Sequence, residues 1–265
     1  MSMIDYFVYV TVILFGTMIG SFLNVCIYRI PKEEDIVVEP SHCMNCKTRL
    51  KWYELVPIFS YLVLRGRCRT CKIKLSVQYP IVEALNGIMY GLVFCIFGWD
   101  SVYTLLLSII YCLTISALIV LSVIDLKTQL IPLGIIIFIL VMGLATVIIK
   151  FVESGRSMDV LLTHGLGFFL VSLFLLLLFY ATNGGAIGGG DVQLMAVAGL
   201  LLGWKLIILA FLIGCILAAI IHPIKMRIQD VSRVLAFGPY LSLGIAIAIL
   251  FGKQIIGWYI DTFFI

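Results

Sequence analysis

The stretch YFVYVTVILFGTMIGSFLNVCI, residues 6–27, decides the fold class of this chain. It contains no charged residue, and a helix needs about 20 apolar residues to cross roughly 30 Å of hydrocarbon. No basic segment precedes it, and it is longer than the apolar part of a cleaved signal peptide. We therefore expect residues 6–27 to form the first membrane-spanning helix.

The composition extends this prediction to the whole chain. The 265 residues are 63% hydrophobic and 12% charged, whereas an ordinary soluble domain is roughly 45–50% apolar. We expect an all-α polytopic membrane protein of about eight transmembrane helices. The sixth and seventh segments are shorter than a full span, which indicates either a thinned bilayer or one helix that does not cross. The predicted spans are 6–28, 80–98, 101–124, 131–149, 160–180, 191–203, 206–221 and 235–251.

The basic residues predict the orientation, because Lys and Arg are enriched in cytoplasmic loops. If the polar segment 31–79 is cytoplasmic, only Lys150, Arg156, Lys205 and Lys253 fall on the other side. Eight crossings then leave both termini outside. The cytoplasmic set comprises Arg29, Lys32, Lys47, Arg49, Lys51, Arg65, Arg67, Arg69, Lys72, Lys74, Lys127, Lys225, Arg227 and Arg233.

The segment 31–79 carries an internal repeat, in which CMNCKTRL at 43–50 is echoed by CRTCKIKL at 68–75. Each Cys-x-x-Cys turn presents two thiolates, and two such turns complete a tetrahedral four-sulfur zinc site. The predicted ligands are Cys43, Cys46, Cys68 and Cys71. Because four protein ligands leave no open position, the zinc is expected to be structural and to fold an insert with little core of its own.

The same cysteines have two alternative uses, as disulfides or as a redox pair. The predicted cytoplasmic location is reducing, which favours zinc. The remaining cysteines lie singly in apolar stretches, where free cysteine behaves as a small buried hydrophobe. These are Cys26, Cys95, Cys112 and Cys215.

Few ionisable residues lie within or beside the predicted spans, and such residues mark functional sites. Asp125 follows the third span and Asp191 opens the sixth. Because the chain crosses twice between them, both belong on the cytoplasmic side, as does Glu83 at the start of the second span. Two neighbouring carboxylates share one proton, so one can activate water while the other polarises an amide carbonyl. The pattern predicts peptide hydrolysis by an aspartate pair.

Gly188, Gly189 and Gly190 directly precede Asp191. Non-helical backbone at membrane depth is tolerated where it lines a cavity, and glycine permits close backbone approach, so an unwound substrate can lie against this loop. The alternative is a flexible linker that ends with Asp191 as a helix N-cap. For Asp125, the alternative is an interfacial carboxylate beside Lys127.

Together these motifs resemble the bacterial type IV prepilin peptidases, which belong to the Gly-x-Gly-Asp intramembrane aspartic proteases. The resemblance spans essentially the whole chain in order. It rests on Asp125 before TQLIP, the paired Cys-x-x-Cys repeat, GTMIGSFLNVCIYRIP at 16–31, LKWYELVPIFSYLVLRGRCRTC at 50–71, SVQYPIVEALNG at 76–87, GGGDVQLMAVAG at 188–199 and FGPYLSLG at 237–244.

The resemblance implies a bifunctional enzyme of the bacterial cytoplasmic membrane. Such enzymes cut the basic leader from prepilins or pseudopilins after a glycine, on the cytoplasmic side. They then methylate the new N-terminal residue with S-adenosylmethionine, and they serve pili, type II secretion or competence. Asp125 and Asp191 match the catalytic pair, and Gly188 and Gly190 match the motif glycines. The four paired cysteines match those of the cytoplasmic domain.

The chain departs from the family pattern at three positions. Leu133 stands where an aspartate is frequent, and Lys47 and Lys72 stand where glycine is common. The soluble segment has no Gly-x-Gly-x-x-Gly loop for the methyl donor. Glu54 and Glu83 are candidates for binding the methionine ammonium or the substrate amine.

We expect three segments: a first transmembrane helix at 1–30, a cytoplasmic zinc domain at 31–79, and a peptidase core of about seven helices at 80–265. The prepilin substrate and the lipid bilayer are the expected partners, and nucleic acid is not. The alternatives are a peptidase without methyltransferase activity, a related Gly-x-Gly-Asp protease lacking the insert, an ion-coupled transporter that uses the carboxylates, and a non-catalytic scaffold.

Overall fold

The structure is a computed structural model that describes residues 3–185, 187–229 and 235–263. Arg233, one of the basic residues in the predicted cytoplasmic set, lies outside the described residues. Over those ranges the chain forms helices and no named strand, as expected for an all-α protein. The helices group into two compact units, an N-terminal unit over Met1–Gly98 and a C-terminal unit over Trp99–Ile265.

The N-terminal unit contains helices α1 (Met3–Arg29), α2 (Phe59–Val63) and α3 (Gln78–Phe97), with short 3-10 turns at Ile30–Lys32 and Trp52–Leu55. The long helices α1 and α3 pack directly against each other. Asn86 on α3 is buried and donates from Nδ2 to the carbonyl of Gly16 on α1 over 2.7 Å. A buried polar side chain must find such a partner, so this bond fixes how the two helices face each other.

The described part of the C-terminal unit contains six helices: α4 (Val102–Thr128), α5 (Leu133–Glu153), α6 (Met158–Ala181), α7 (Gly189–Leu202), α8 (Trp204–Gln229) and α9 (Gly238–Phe263). Helix α7 packs against α5, α6, α8 and α9, and α4 packs against α5 and α9. The outer helices expose apolar side chains, as lipid contact requires. On α6 these follow one stripe of Leu162, Leu166, Phe169, Leu173 and Leu177.

Seven of the described helices are long and apolar enough to cross a bilayer, namely α1, α3, α4, α5, α6, α8 and α9. The eighth apolar helix, α7, has 14 residues and at 1.5 Å per residue extends about 21 Å. The all-helical membrane architecture is confirmed, and among the described residues seven of the eight expected helices are long enough to cross. The sixth expected span, α7, is the one that is too short. The predicted shortness of the seventh is wrong, because α8 continues past residue 221 through Pro223. Membrane helices tolerate such a proline.

Helices α6 and α7 approach each other through glycine. A Cβ atom on Gly199 would overlap the carbonyl of Gly167, and one on Gly167 would overlap the carbonyl of Gly199. Small residues allow such backbone contact between membrane helices. A single residue, Gly203 with φ of +83°, then connects α7 to α8 and packs beside Thr163 of α6. The C-terminal end of α7 is thus held closely against α6.

Candidate active site and candidate metal centre

Asp125 lies near the C-terminal end of α4 and is 4% exposed. Its Oδ2 atom accepts a hydrogen bond of 2.9 Å from the backbone N–H of Gly238, the first residue of α9. The free N–H groups at a helix N-terminus favour a carboxylate. A Cβ on Gly238 would lie 2.6 Å from the same Oδ2 atom, so a side chain there would displace the carboxylate.

Asp191 is the third residue of α7 and is 7% exposed. The N-cap of this helix is Gly188, with φ of −75° and ψ of 145°, so the alternative interpretation of Asp191 as the N-cap is wrong. Its side chain instead reaches back to the backbone N–H of Gly188, as the third residue of a capping box does. The Oδ1 atom is buried and has no hydrogen-bond partner among the described residues.

The two carboxylates are close enough for the charge on Asp125 to act on Asp191. The segment after α4 lies against the start of α7, since a Cβ on Gly190 would meet Ile131 Cβ at 2.8 Å. Gly190 is therefore needed for contact within the protein. The expectation that an unwound substrate lies against this loop is not tested by this contact.

Gly238 is the site residue that sequence reasoning missed. It appeared only as part of the motif at 237–244, with no role assigned to it. The available signal is Pro239, because proline at the first turn of a helix predicts a helix start. A helix N-terminus beside a predicted membrane carboxylate is a natural source of N–H donors.

This arrangement suits acid–base chemistry on an amide. The two carboxylates can share a proton. Asp191 Oδ1 remains available to accept a hydrogen bond from another molecule such as water. Ser242, one turn beyond Gly238 on α9, adds a buried hydroxyl that likewise lacks a hydrogen-bond partner in the described part of the chain. Groups four residues apart share a helix face.

The candidate metal centre consists of Cys43, Cys46, Cys68 and Cys71, whose sulfur atoms all lie within 4.8 Å of one another. The Sγ atoms of Cys43 and Cys71 are 3.9 Å apart, and those of Cys46 and Cys68 are 4.0 Å apart. A tetrahedron with Zn–S bonds of about 2.3 Å has S–S edges of about 3.8 Å. The predicted ligands therefore fit zinc in both chemistry and spacing.

The sequence repeat is also a structural repeat. Lys47 N–H donates to Cys43 O, and 25 residues later Lys72 N–H donates to Cys68 O, at 2.9 and 3.0 Å. The bridge between His42 and Arg49 is likewise repeated by Arg67 and Lys74. Lys47 and Lys72 have φ of 55° and 60°, a left-handed conformation that costs a lysine more than a glycine. This explains why glycine suits these two positions and shows that lysine preserves the turn.

The four thiols differ in their surroundings. Burial raises the pKa of Cys43 to about 11, and hydrogen bonds from the Thr48 side chain and backbone lower the pKa of Cys46 to about 6. The backbone N–H of Ile73 lowers the pKa of Cys71 in the same manner. The surroundings of Cys46 and Cys71 thus favour the thiolate, the form that binds a metal.

The structure brings Glu54 and Glu83, the candidates for the methyl-donor site, to the same cavity of the N-terminal unit. Glu54 Oε1 forms a salt bridge of 3.1 Å with Arg69 Nε, and Glu54 Oε2 accepts from the backbone N–H of Lys51. Glu83 Oε2 accepts from the backbone N–H of Ile58 over 2.7 Å. Leu133, the departure from the family pattern, is the exposed first residue of α5.

Comparisons with known proteins cover both units. Residues 14–97 match the bacterial peptidase A24 N-terminal domain, and residues 112–222 match the type IV leader peptidase family. Proteins named prepilin leader peptidase/N-methyltransferase from Legionella pneumophila, Bacillus subtilis and Pseudomonas aeruginosa are 34%, 32% and 31% identical. The alignments cover 96%, 93% and 94% of this chain and 95%, 96% and 92% of those relatives. No solved structure matches the chain.

Proposed function

Because the chain belongs to the type IV leader peptidase family, we propose that it removes the leader peptide of prepilins or pseudopilins and N-methylates the residue that cleavage exposes. It is a multi-pass protein of the bacterial inner membrane. S-adenosylmethionine is its methyl donor. The observation that carries the peptidase assignment is the pair of buried carboxylates, Asp125 and Asp191, held within one unit by α4, α7 and α9.

In the proposed cleavage, the Asp125–Asp191 pair holds one proton between its two members. The ionised member accepts a proton from water, which attacks the scissile carbonyl, while the protonated member donates to the carbonyl oxygen. The N–H of Gly238 orients Asp125 throughout, and Gly188 orients Asp191. Asp191 Oδ1 has no other hydrogen-bond partner in the described ranges, which leaves it to the water or the substrate.

We place the aspartates and the cysteine module on the cytoplasmic side, with both termini outside. The support is the distribution of basic residues, fourteen of the eighteen being assigned to that side. Within the C-terminal unit, α5 and α6 lie between Asp125 and Asp191, and α7 and α8 lie between Asp191 and Gly238. An antiparallel course through these helices returns all three residues to one end.

The proposed domains follow the same chemistry. Residues 31–79 form the zinc domain, and residues 80–265 supply the peptidase core. A zinc ion held by the four cysteines would offset part of the thiolate charge and would join the two halves of the repeat. It supplies no catalytic step, because its four ligands come from the protein.

One zinc ion per chain is the expected result of metal analysis on freshly reduced, purified protein. Cys43→Ser and Cys68→Ser should each abolish zinc binding and lower the midpoint of thermal unfolding, because three ligands no longer close the site. Cys95→Ser is the matched control, since Cys95 lies exposed on α3 away from the cluster. Wild-type protein that contains no zinc, or zinc retained by both ligand variants, would contradict this assignment.

The function itself is tested by incubating the purified full-length protein in lipid vesicles with a prepilin and with S-adenosylmethionine labelled in its methyl group. We expect a shortened pilin that carries about one labelled methyl group at its new N-terminus. The matched control is a prepilin whose glycine before the cleavage site is replaced by a bulky residue, which should be neither shortened nor labelled. A shortened pilin without label would remove the methyltransferase half of the proposal, and no shortening would remove the peptidase half.

A further inference from the structure

The N-terminal unit encloses a cavity of about 310 Å³. It is lined by α1, α3 and the insert that carries the cysteines, and its surface is mainly apolar. Small-molecule sites occupy roughly 300–1,000 Å³ and combine apolar walls with a few polar groups. Tyr28, Tyr61 and Tyr79 contribute aromatic rings to these walls. The cavity thus has the size and surface of a binding site for a compact ligand with a flat ring.

Glu83 gives the cavity a carboxylate that forms no salt bridge in the described part of the chain. Three basic residues also line the cavity, Arg29, Arg69 and Lys74. The Glu83 side chain is held by the Ile58 N–H and by the hydroxyl of Ser21, and the residue is 7% exposed. Among the described residues no basic side chain lies within salt-bridge distance of it, whereas the other glutamate of the cavity, Glu54, is paired with Arg69. A buried charge without a counter-ion is costly. A positively charged ligand would offset this cost.

The segment that meets Glu83 is strained. Ile58 has φ of +59° and ψ of −51°, and Phe59 N–H donates to the carbonyl of Pro57 to close a γ-turn. A β-branched residue rarely adopts this conformation. Strain of this kind persists only where the surroundings enforce it, and it concentrates at ligand-binding sites. Here the N–H of the strained residue donates to Glu83, whose carboxylate lines the cavity.

We infer that this cavity binds S-adenosylmethionine, with Glu83 facing its positively charged part and the tyrosine-lined wall receiving its adenine. The inference rests on the methyl transfer proposed above. The ligand carries a sulfonium and an ammonium group, which match an unpaired carboxylate, and a flat ring, which matches aromatic walls. Cys43 and Cys68 also line the cavity, so the metal centre supports the same site.

Transfer of the methyl group from the donor in this cavity forms one bond and breaks one. The lone pair of the new N-terminal amine forms a bond to the methyl carbon. The bond from that carbon to sulfur breaks, and its electron pair stays on sulfur, which becomes a neutral thioether. The positive charge passes to nitrogen, which then releases one proton to water.

The test is equilibrium binding of methyl-labelled S-adenosylmethionine to the full-length protein in lipid nanodiscs, with zinc content measured on every sample. Glu83→Gln keeps a hydrogen-bond acceptor for Ile58 and removes the charge, so we expect affinity to fall roughly tenfold or more. Adenosine lacks the charged groups. Its own dissociation constant, measured by competition, should therefore be the same for Glu83→Gln and wild type. Glu34→Gln, which removes an exposed carboxylate of the same unit, should bind the donor as wild type does.

A second pair of variants tests the cavity itself. Ser60 lines it, and Ser60→Trp should fill it and abolish binding. Leu62, two positions along on α2, is 65% exposed, and Leu62→Trp should bind normally. Loss of zinc by Ser60→Trp would indicate that this variant is misfolded, and the result for Glu83→Gln would then decide whether the cavity binds the donor. Normal donor binding by zinc-containing Glu83→Gln would overturn the cavity assignment and leave methyl transfer standing, whereas no binding to wild type would overturn both.

Discussion

Asp125→Asn and Asp191→Asn are each expected to abolish prepilin cleavage, with a loss of roughly 10³-fold or more in rate. Asparagine has nearly the shape of aspartate and can still accept the N–H of Gly238 at position 125. It cannot ionise or share a proton, so the pair loses its acid–base function. The measurement is the rate at which a prepilin is shortened by purified protein in lipid vesicles.

The control is Asp261→Asn, which changes an exposed aspartate near the end of α9 and should cleave normally. Zinc content and thermal unfolding should be unchanged in all three variants, which separates a catalytic loss from a failure to fold. Cleavage at the wild-type rate by either active-site variant would refute the two-aspartate mechanism. Losses of similar size in the single and double variants would support a pair that acts as one group.

Gly167→Ala should destabilise the C-terminal unit by about 1–3 kcal/mol or more. The new Cβ would overlap the carbonyl of Gly199 and lie 2.9 Å from Gly203 Cα, so α6 must move away from α7. Because α7 carries Asp191, cleavage should fall together with the midpoint of thermal unfolding. Unfolding in detergent and the cleavage assay measure the two effects.

Gly165→Ala supplies the matched comparison, two positions earlier on α6. A Cβ there meets nothing within 4 Å, and alanine is the better helix former, so this variant should be as stable as wild type or slightly more so. Equal unfolding temperatures for Gly165→Ala and Gly167→Ala would contradict the close contact between α6 and α7.

Most of the helices could be predicted because their apolar runs approach or exceed the length of a bilayer span. Their ends could not. The run at 206–221 stops where polar residues begin, yet α8 includes Pro223 and ends at Gln229, because a helix can continue without apolar side chains. The shortness of α7 was visible in the sequence, because too few residues lie between Gly188 and Gly203 for a full span.

Within the candidate sites, the residues with distinctive chemistry could be named from the sequence: two aspartates, four cysteines and two glutamates. The residues that position them could not, because they act through the backbone. Gly238 contributes a backbone N–H, and Ile58 contributes a backbone N–H from a strained turn. Neither contribution depends on the identity of a polar side chain. The cavity near Glu83 depends on distant segments folding together, which a local pattern does not report.

The hydrogen bond from Gly238 to Asp125 joins residues 113 positions apart, and this has a consequence for biosynthesis. A ribosome delivers Asp125 and Asp191 to the membrane well before it reaches α9. Until then the growing chain carries both carboxylates, but Asp125 lacks the backbone donor that orients it. The order of synthesis therefore completes the surroundings of Asp125 only when the last helix is in place.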